Sequence, residues 1–262
     1  MNNQPIGILD SGVGGLTIWR EIVRKLPHES TIYIADSKNC PYGSKTSQEI
    51  YQLARRLVQF LIENNCKLIV LACNTITVSC LDRLRKDFPH VPIVGTVPVV
   101  RTASKLSKNK KIGILSTTRT AESQYQKDLI QNFAGDCELI NIGTDKLVPL
   151  IEKGNMQDKM IQIILHKELK PFVNYGIDTL ALGCSHFPLI KGQIQKELSS
   201  KVLVLDSGTA IARQVQRVLQ GRNQLSTSGA INYIFYTTGN KAQFSEILRS
   251  MEYNNEVKQV DL

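Results

Sequence analysis

Two apolar runs of strand length, each ending in a cysteine, constrain this chain more than any other feature. The first is Leu68-Ile-Val-Leu-Ala-Cys73-Asn74-Thr75, and the second is Asp178-Thr-Leu-Ala-Leu-Gly-Cys184-Ser185-His186. A short apolar run that opens onto a helical pattern reads as a buried parallel strand, and open α/β sheets collect ligands at the carboxyl ends of such strands. Both cysteines therefore stand at strand mouths. Around them the pattern repeats: Lys111-Ile-Gly-Ile-Leu-Ser116 echoes Ile6-Gly-Ile-Leu-Asp10. The offset from Ile6 to Ile112 is 106 residues and that from Cys73 to Cys184 is 111. Landmarks recurring in order at nearly one spacing indicate an internal duplication. The fold class expected is α/β, with two pseudo-symmetric domains, mainly parallel sheets, and an active site in the cleft between them.

Read in order, Ile6–Asp10 is a strand, and Ser11-Gly-Val-Gly-Gly15 leads into a helical pattern from Leu16 to Leu26. The glycines could present backbone N–H groups to an anion, but no Walker lysine follows and the dinucleotide spacing is absent. A tight strand-to-helix turn explains them equally well. Thr31–Asp36 is a second strand ending in a carboxylate, followed by the turn Asn39-Cys40-Pro41-Tyr42-Gly43. Helices are expected from about Ser47 to Asn64 and from Asn74 to Phe88, with a short strand over Pro92–Pro98. In the second half, hydroxyl-rich Ser116-Thr-Thr-Arg-Thr120 precedes a helix from Ser123 to Phe133. Cys137–Asn141 reads as a strand, Leu147–Gly154 as a helical turn, and Asp158–Tyr175 as a helix. Val202–Asp206 is the last strand before a helix to Leu219, and the polar stretch 221–229 connects to a tail, Ile231–Tyr236 and Phe244–Met251, expected to return to the first half. The domains expected are 1–97 plus 208–262, and 98–207.

The N-terminus begins Met-Asn-Asn-Gln-Pro, and no apolar run approaches the roughly 20 residues of a membrane helix. A cytoplasmic protein is expected. Six cysteines in such a chain read as free thiols, with Cys66 and Cys80 as packing residues. The net charge of +9 suits an acidic substrate, while the basic run Lys105–Lys111 lacks interleaved aromatics and reads as a solvated loop, so no nucleic-acid site is expected.

A thiol titrates near neutral pH, and a helix N-terminus can lower it further. One cysteine with a histidine, as in Cys184 and His186, suggests nucleophilic catalysis. Two cysteines related by duplication suggest a thiolate that removes a proton from one face of a carbon acid while a thiol supplies one to the other. A zinc site on Cys73, Cys184 and His186, serving a hydrolase or a structural role, is a distant alternative, one ligand short of the usual four.

Together, Asp10-Ser11-Gly-Val-Gly-Gly-Leu16, Pro41-Tyr42-Gly43, Ala72-Cys73-Asn74-Thr75, Leu147–Gly154 with Glu152, Gly183-Cys184-Ser185-His186-Phe-Pro-Leu189 and Asp206-Ser207-Gly208 resemble the glutamate racemases. The resemblance runs from about residue 5 to about residue 250. It implies a cofactor-independent enzyme making D-glutamate for peptidoglycan, with Cys73 taking the α-proton from D-glutamate and Cys184 from L-glutamate. Asp10 and His186 would assist the two thiols, and Asp36 and Glu152 would support them more weakly. Ser11, Tyr42, Gly43, Asn74, Thr75, Thr118 and Ser185 would hold the substrate. A homodimer is also implied, and activation by a cell-wall precursor or binding to DNA gyrase are properties of some members. Racemisation of aspartate or another acidic amino acid is the alternative activity. Ser185 and Phe187 replace the family's usual threonine and tyrosine.

Overall fold

The computed structural model describes residues 3–96, 99–227 and 229–262. Its strands are β1 (Ile6–Asp10), β2 (Thr31–Ala35), β3 (Leu68–Leu71), β4 (Ile93–Gly95), β5 (Lys111–Ser116), β6 (Glu138–Gly143), β7 (Thr179–Gly183), β8 (Leu203–Leu205), β9 (Tyr233–Thr237) and β10 (Val257–Gln259). The helices are α1 (Leu16–Lys25), α2 (Ser47–Glu63), α3 (Asn74–Asp87), α4 (Val100–Leu106), α5 (Thr118–Glu122), α6 (Gln124–Phe133), α7 (Val148–Glu152), α8 (Lys159–Tyr175), α9 (Lys191–Leu198), α10 (Gly208–Gly221) and α11 (Lys241–Ser250).

The strands form two sheets, ordered β10-β9-β2-β1-β3-β4 and β6-β5-β7-β8, and every pairing is parallel. The order β2-β1-β3-β4 recurs as β6-β5-β7-β8, so the repeated sequence landmarks correspond to a repeated topology. Ile6 pairs with Leu68 in the first sheet as Ile112 pairs with Thr179 in the second. Cys73 and Cys184 thus follow equivalent strands, each beside the first strand of its half. The tail extends the first sheet, with β9 pairing to β2 from Thr31↔Tyr233 onward. The expected boundary at residues 97 and 98 lies outside the described residues.

Alternation along the central strands separates two cores. Ile6, Ile8, Leu68 and Val70 face α1, α10 and α11, whereas Leu9, Ile69 and Leu71 face α2 and α3. Parallel strands buried on both faces are what an almost uninterrupted apolar run produces. Trp19 on α1 is fully buried and meets Tyr233, Phe235 and Tyr253 edge-on at 4.6–5.6 Å, which fastens the tail to α1. Such aromatic pairs contribute about 0.5–1.5 kcal/mol each beyond their buried area. Gly7 leaves the space that Cys66 fills, since a Cβ there would lie 3.0 Å from its sulfur. Cys66 is therefore a packing residue.

One expectation needs correction, and two short elements were not foreseen. The helix expected from Ser123 to Phe133 is α6, which Ser123 caps by accepting the Gln126 N–H, and the short helix α5 stands before it in the hydroxyl-rich stretch. β10 went unseen because three residues with a single buried side chain carry no periodic signal. Cys184 opens onto a bend and a 3-10 turn at Phe187–Ile190 rather than directly onto an α-helix. Among the described residues no helix is long and apolar enough to cross a membrane.

Candidate active site

Cys73 is the N-cap of α3 and is buried. Its sulfur lies 3.6 Å from the Ser11 hydroxyl, which donates at 3.4 Å to Asp10, the fully buried last residue of β1. Asp10 also accepts the Gly12 N–H at 2.8 Å and, from the other half, the Ser185 hydroxyl at 2.9 Å. Cys184 sits one residue past β7, 3.9 Å from Nδ1 of His186. The other imidazole nitrogen is 2.5 Å from Oε1 of Glu152, and that oxygen accepts the Val13 N–H of the first half at 2.7 Å. Each thiol therefore begins a relay to a carboxylate, and each carboxylate is tied to the opposite half.

The glycine loop is a device for close approach. A Cβ on Gly14 would stand 2.5 Å from Nδ1 of His186 and 2.7 Å from its backbone nitrogen, and one on Gly12 would collide with the Glu152 carboxylate. Neither glycine has a positive φ, so the requirement is space rather than backbone conformation. The loop is thus a tight strand-to-helix turn that also gives its Gly12 and Val13 N–H groups to the protein's own carboxylates, Asp10 and Glu152.

One cavity between the halves is lined by both thiols. Ser11, Tyr42, Gly43, Asn74 and Thr75 reach it from the first half, and Thr117, Ser185 and His186 from the second. Among the described residues the amide nitrogen of Asn74 is buried without a hydrogen-bond partner. Thr75 and Thr117 share a hydroxyl hydrogen bond of 2.9 Å across the cleft. The free volume is only about 10 Å³, room for roughly one water molecule. This is the cleft closed.

Several expected positions fall elsewhere. Thr118 does not line the cavity; its N–H donates to Asp145 at 3.3 Å, and Thr117 takes the place expected for it. Thr117 is the N-cap of α5, accepting from the Thr120 N–H, and that role turns its hydroxyl toward Thr75. Asp10 and Glu152 stand behind the thiols and do not line the cavity. Asp36 is neither a surface carboxylate nor part of the lining. It is buried and accepts from Tyr42 (2.5 Å), Thr238 (2.6 Å) and Asn39 (3.0 and 3.1 Å). The Tyr42 hydroxyl is consumed by that bond, so Tyr42 does not offer it to the cavity. Among the described residues, the three candidate metal ligands that come together are Cys40, Glu152 and His186, not the trio of Cys73, Cys184 and His186.

Burial pushes the Cys73 thiol up to about 12, and the Asp10 charge adds to this against the Ile76 N–H and the Ser11 hydroxyl. The expected lowering by a helix N-terminus is thus present as one N–H contact but is outweighed. Burial also raises Asp10, against the His186 charge, the Gly12 N–H and the Ser185 hydroxyl. For His186, burial favours the neutral ring, yet its bonds to Cys184, Cys40 and Glu152 prevail and hold it well above the ordinary histidine value. At neutral pH the Cys73 sulfur is a thiol, and its thiolate, once formed, is a strong base.

Two like α/β halves closing on paired thiols set the architectural class. A family profile described as Asp/Glu/Hydantoin racemase matches residues 6–215. A glutamate racemase of Pseudomonas paraeruginosa is 37% identical over 93% of this chain and 92% of its own length. Among solved structures, a glutamate racemase isoform from Bacillus anthracis superposes with a TM-score of 0.92 at 32% identity, covering 100% of this chain and 99% of that one. The Escherichia coli glutamate racemase, in complex with L-glutamate and the activator UDP-MurNAc-ala, gives 0.87 at 29% identity over 98% of each chain. The protein belongs to the Asp/Glu/Hydantoin racemase family.

Proposed function

We propose that this protein interconverts L- and D-glutamate by proton transfer between two thiols, supplying D-glutamate for peptidoglycan. The observation that carries the reading is the pair of sulfurs at equivalent strand mouths lining one closed cavity. Cys73 takes the α-proton from D-glutamate and Cys184 from L-glutamate, each returning a proton in the opposite direction. Ser11 and Asp10 serve the first thiol, His186 and Glu152 the second. A thiolate on one face of the α-carbon removes its proton while a thiol on the other face donates one, and the two exchange roles in the reverse direction. Asn74, Thr75, Thr117 and Ser185 supply amide and hydroxyl groups for the substrate's polar ends. Asp36 acts at one remove, by holding Tyr42 and its loop.

The domains that close are residues 1–97 plus 208–262, and residues 98–207. A glutamate molecule far exceeds the space for one water, so the reading requires opening for entry and release. We extend it to a cytoplasmic homodimer responsive to a cell-wall precursor of the kind crystallised with the E. coli relative. Ultracentrifugation and initial rates with and without UDP-MurNAc-ala test those two points.

The deciding experiment is α-proton exchange. Incubated with L-glutamate in heavy water, the protein should produce D-glutamate carrying deuterium at the α-carbon. Cys73→Ala and Cys184→Ala should each abolish inversion while glutamate still binds. Near wild-type turnover in either variant, or faster inversion of aspartate than of glutamate, would sink the reading.

A further inference from the structure

A third thiol lies beside the relay of Cys184 and touches it through His186. Cys40 is half-buried in the turn after β2, outside the cavity lining, and packs against the core of the second sheet. Its sulfur, a nitrogen of His186 and a carboxylate oxygen of Glu152 all lie within 4.8 Å of one another. We propose that Cys40, Glu152 and His186 form an inhibitory zinc site that staples the two halves together in the closed state.

A tetrahedral zinc with bonds of about 2.0–2.3 Å, three to these side chains and the fourth to a water, holds its donors roughly 3.3–3.8 Å apart. The three donor atoms need shifts of only about an ångström to reach that spacing, with the 2.5 Å contact between His186 and Glu152 opening to admit the ion. A thiolate, an imidazole and a carboxylate together suit zinc, whereas magnesium and calcium demand a shell of oxygens. Zinc enters as Zn²⁺; Cys40 gives up its thiol proton and His186 any proton beyond the neutral ring, both to solvent. The consequence follows from where the ligands sit. Cys40 belongs to the first sheet's loops, while Glu152 and His186 come from the second half. The ion therefore resists opening, and it displaces the contact between His186 and Glu152 that supports Cys184.

Cobalt(II) titration of the whole protein provides a readout that does not depend on the racemase reading. The wild type should bind one cobalt with a thiolate-to-cobalt charge-transfer band, which zinc displaces. Cys40→Ser should lose the band and bind zinc more than about 100-fold more weakly, beyond the loss that removing a supporting group alone produces. Its basal turnover should persist, and zinc should no longer inhibit it at concentrations that silence the wild type. Absence of the band in the wild type, or a band and inhibition that survive Cys40→Ser, overturns the proposal. If Cys40→Ser misfolds, Glu152→Gln serves: a zinc affinity at least tenfold weaker supports the site, and an unchanged affinity refutes it.

Discussion

Gly14→Ala isolates the closure of the two halves from the stability of either. The added Cβ would meet His186 Nδ1 at 2.5 Å, the His186 backbone nitrogen at 2.7 Å and the Ser185 hydroxyl at 2.7 Å. All three atoms belong to the second half, and one is backbone, so a side-chain rotation cannot relieve the contact. Restoring ordinary van der Waals separation moves the second half away by about 1 Å, a misplacement that can cost about 100-fold in rate when it separates reacting groups. Because Gly14 has no positive φ, alanine is tolerated by its own backbone. Racemisation followed by circular dichroism of glutamate should show kcat/KM about 100-fold lower, while the melting temperature moves by only a few degrees. Gly192→Ala on α9 is the control, since nothing lies within 4 Å of the added atom; it should leave turnover unchanged and stabilise slightly. A Gly14→Ala enzyme with more than a third of wild-type kcat/KM would show that contact with the loop is not needed for turnover, and a collapse of its melting temperature would show that the clash acts on folding instead.

The Cys73 thiol, raised to about 12 by burial, binds its proton more tightly in the folded chain than in the unfolded one. Its contribution to stability is complete below the ordinary thiol value of about 8.5 and is lost as pH rises toward the folded value, by up to about 1.4 kcal/mol per pH unit. Urea unfolding between pH 9 and 11 should therefore fall less steeply for Cys73→Ala than for the wild type, and equal slopes would contradict this. Lys67 and Glu29 form a buried pair at 2.7 Å, with side chains 0% and 2% exposed. Lys67→Met leaves the Glu29 carboxylate without its cation and should destabilise by about 3–5 kcal/mol in urea. Asp36→Asn, which weakens the hold on Tyr42, should raise KM more than it lowers kcat; the reverse would mean that Asp36 acts on the proton transfer.

The two halves were legible because parallel strands buried on both faces need apolar residues at nearly every position, as in Leu68–Leu71 and Thr179–Gly183. The thiols were legible because duplication singled out Cys73 and Cys184 from the other four cysteines. That Thr117 rather than Thr118 faces the cavity was not legible, since in Thr117-Thr118-Arg119-Thr120 several hydroxyls could cap a helix and only the backbone path selects one. Cys40 gave no signal, because its proximity to Glu152 and His186 arises from segments more than a hundred residues away. The raised thiol followed from the depth of burial, which a motif does not encode.

The return of the tail to the first sheet has a consequence for how the chain acquires its shape during synthesis. β5 to β8 are contiguous in sequence, and the second sheet can assemble as soon as residue 205 has emerged. The first sheet cannot: its strand β2 stands at an open edge until residues 233–237 arrive to pair with Thr31–Ala35. Thr-Ile-Tyr-Ile-Ala is short, apolar and rich in β-forming residues, the kind of edge that recruits other chains when left uncovered. Chains truncated before β9 should therefore aggregate through their N-terminal half, although every residue of β1 to β4 is present.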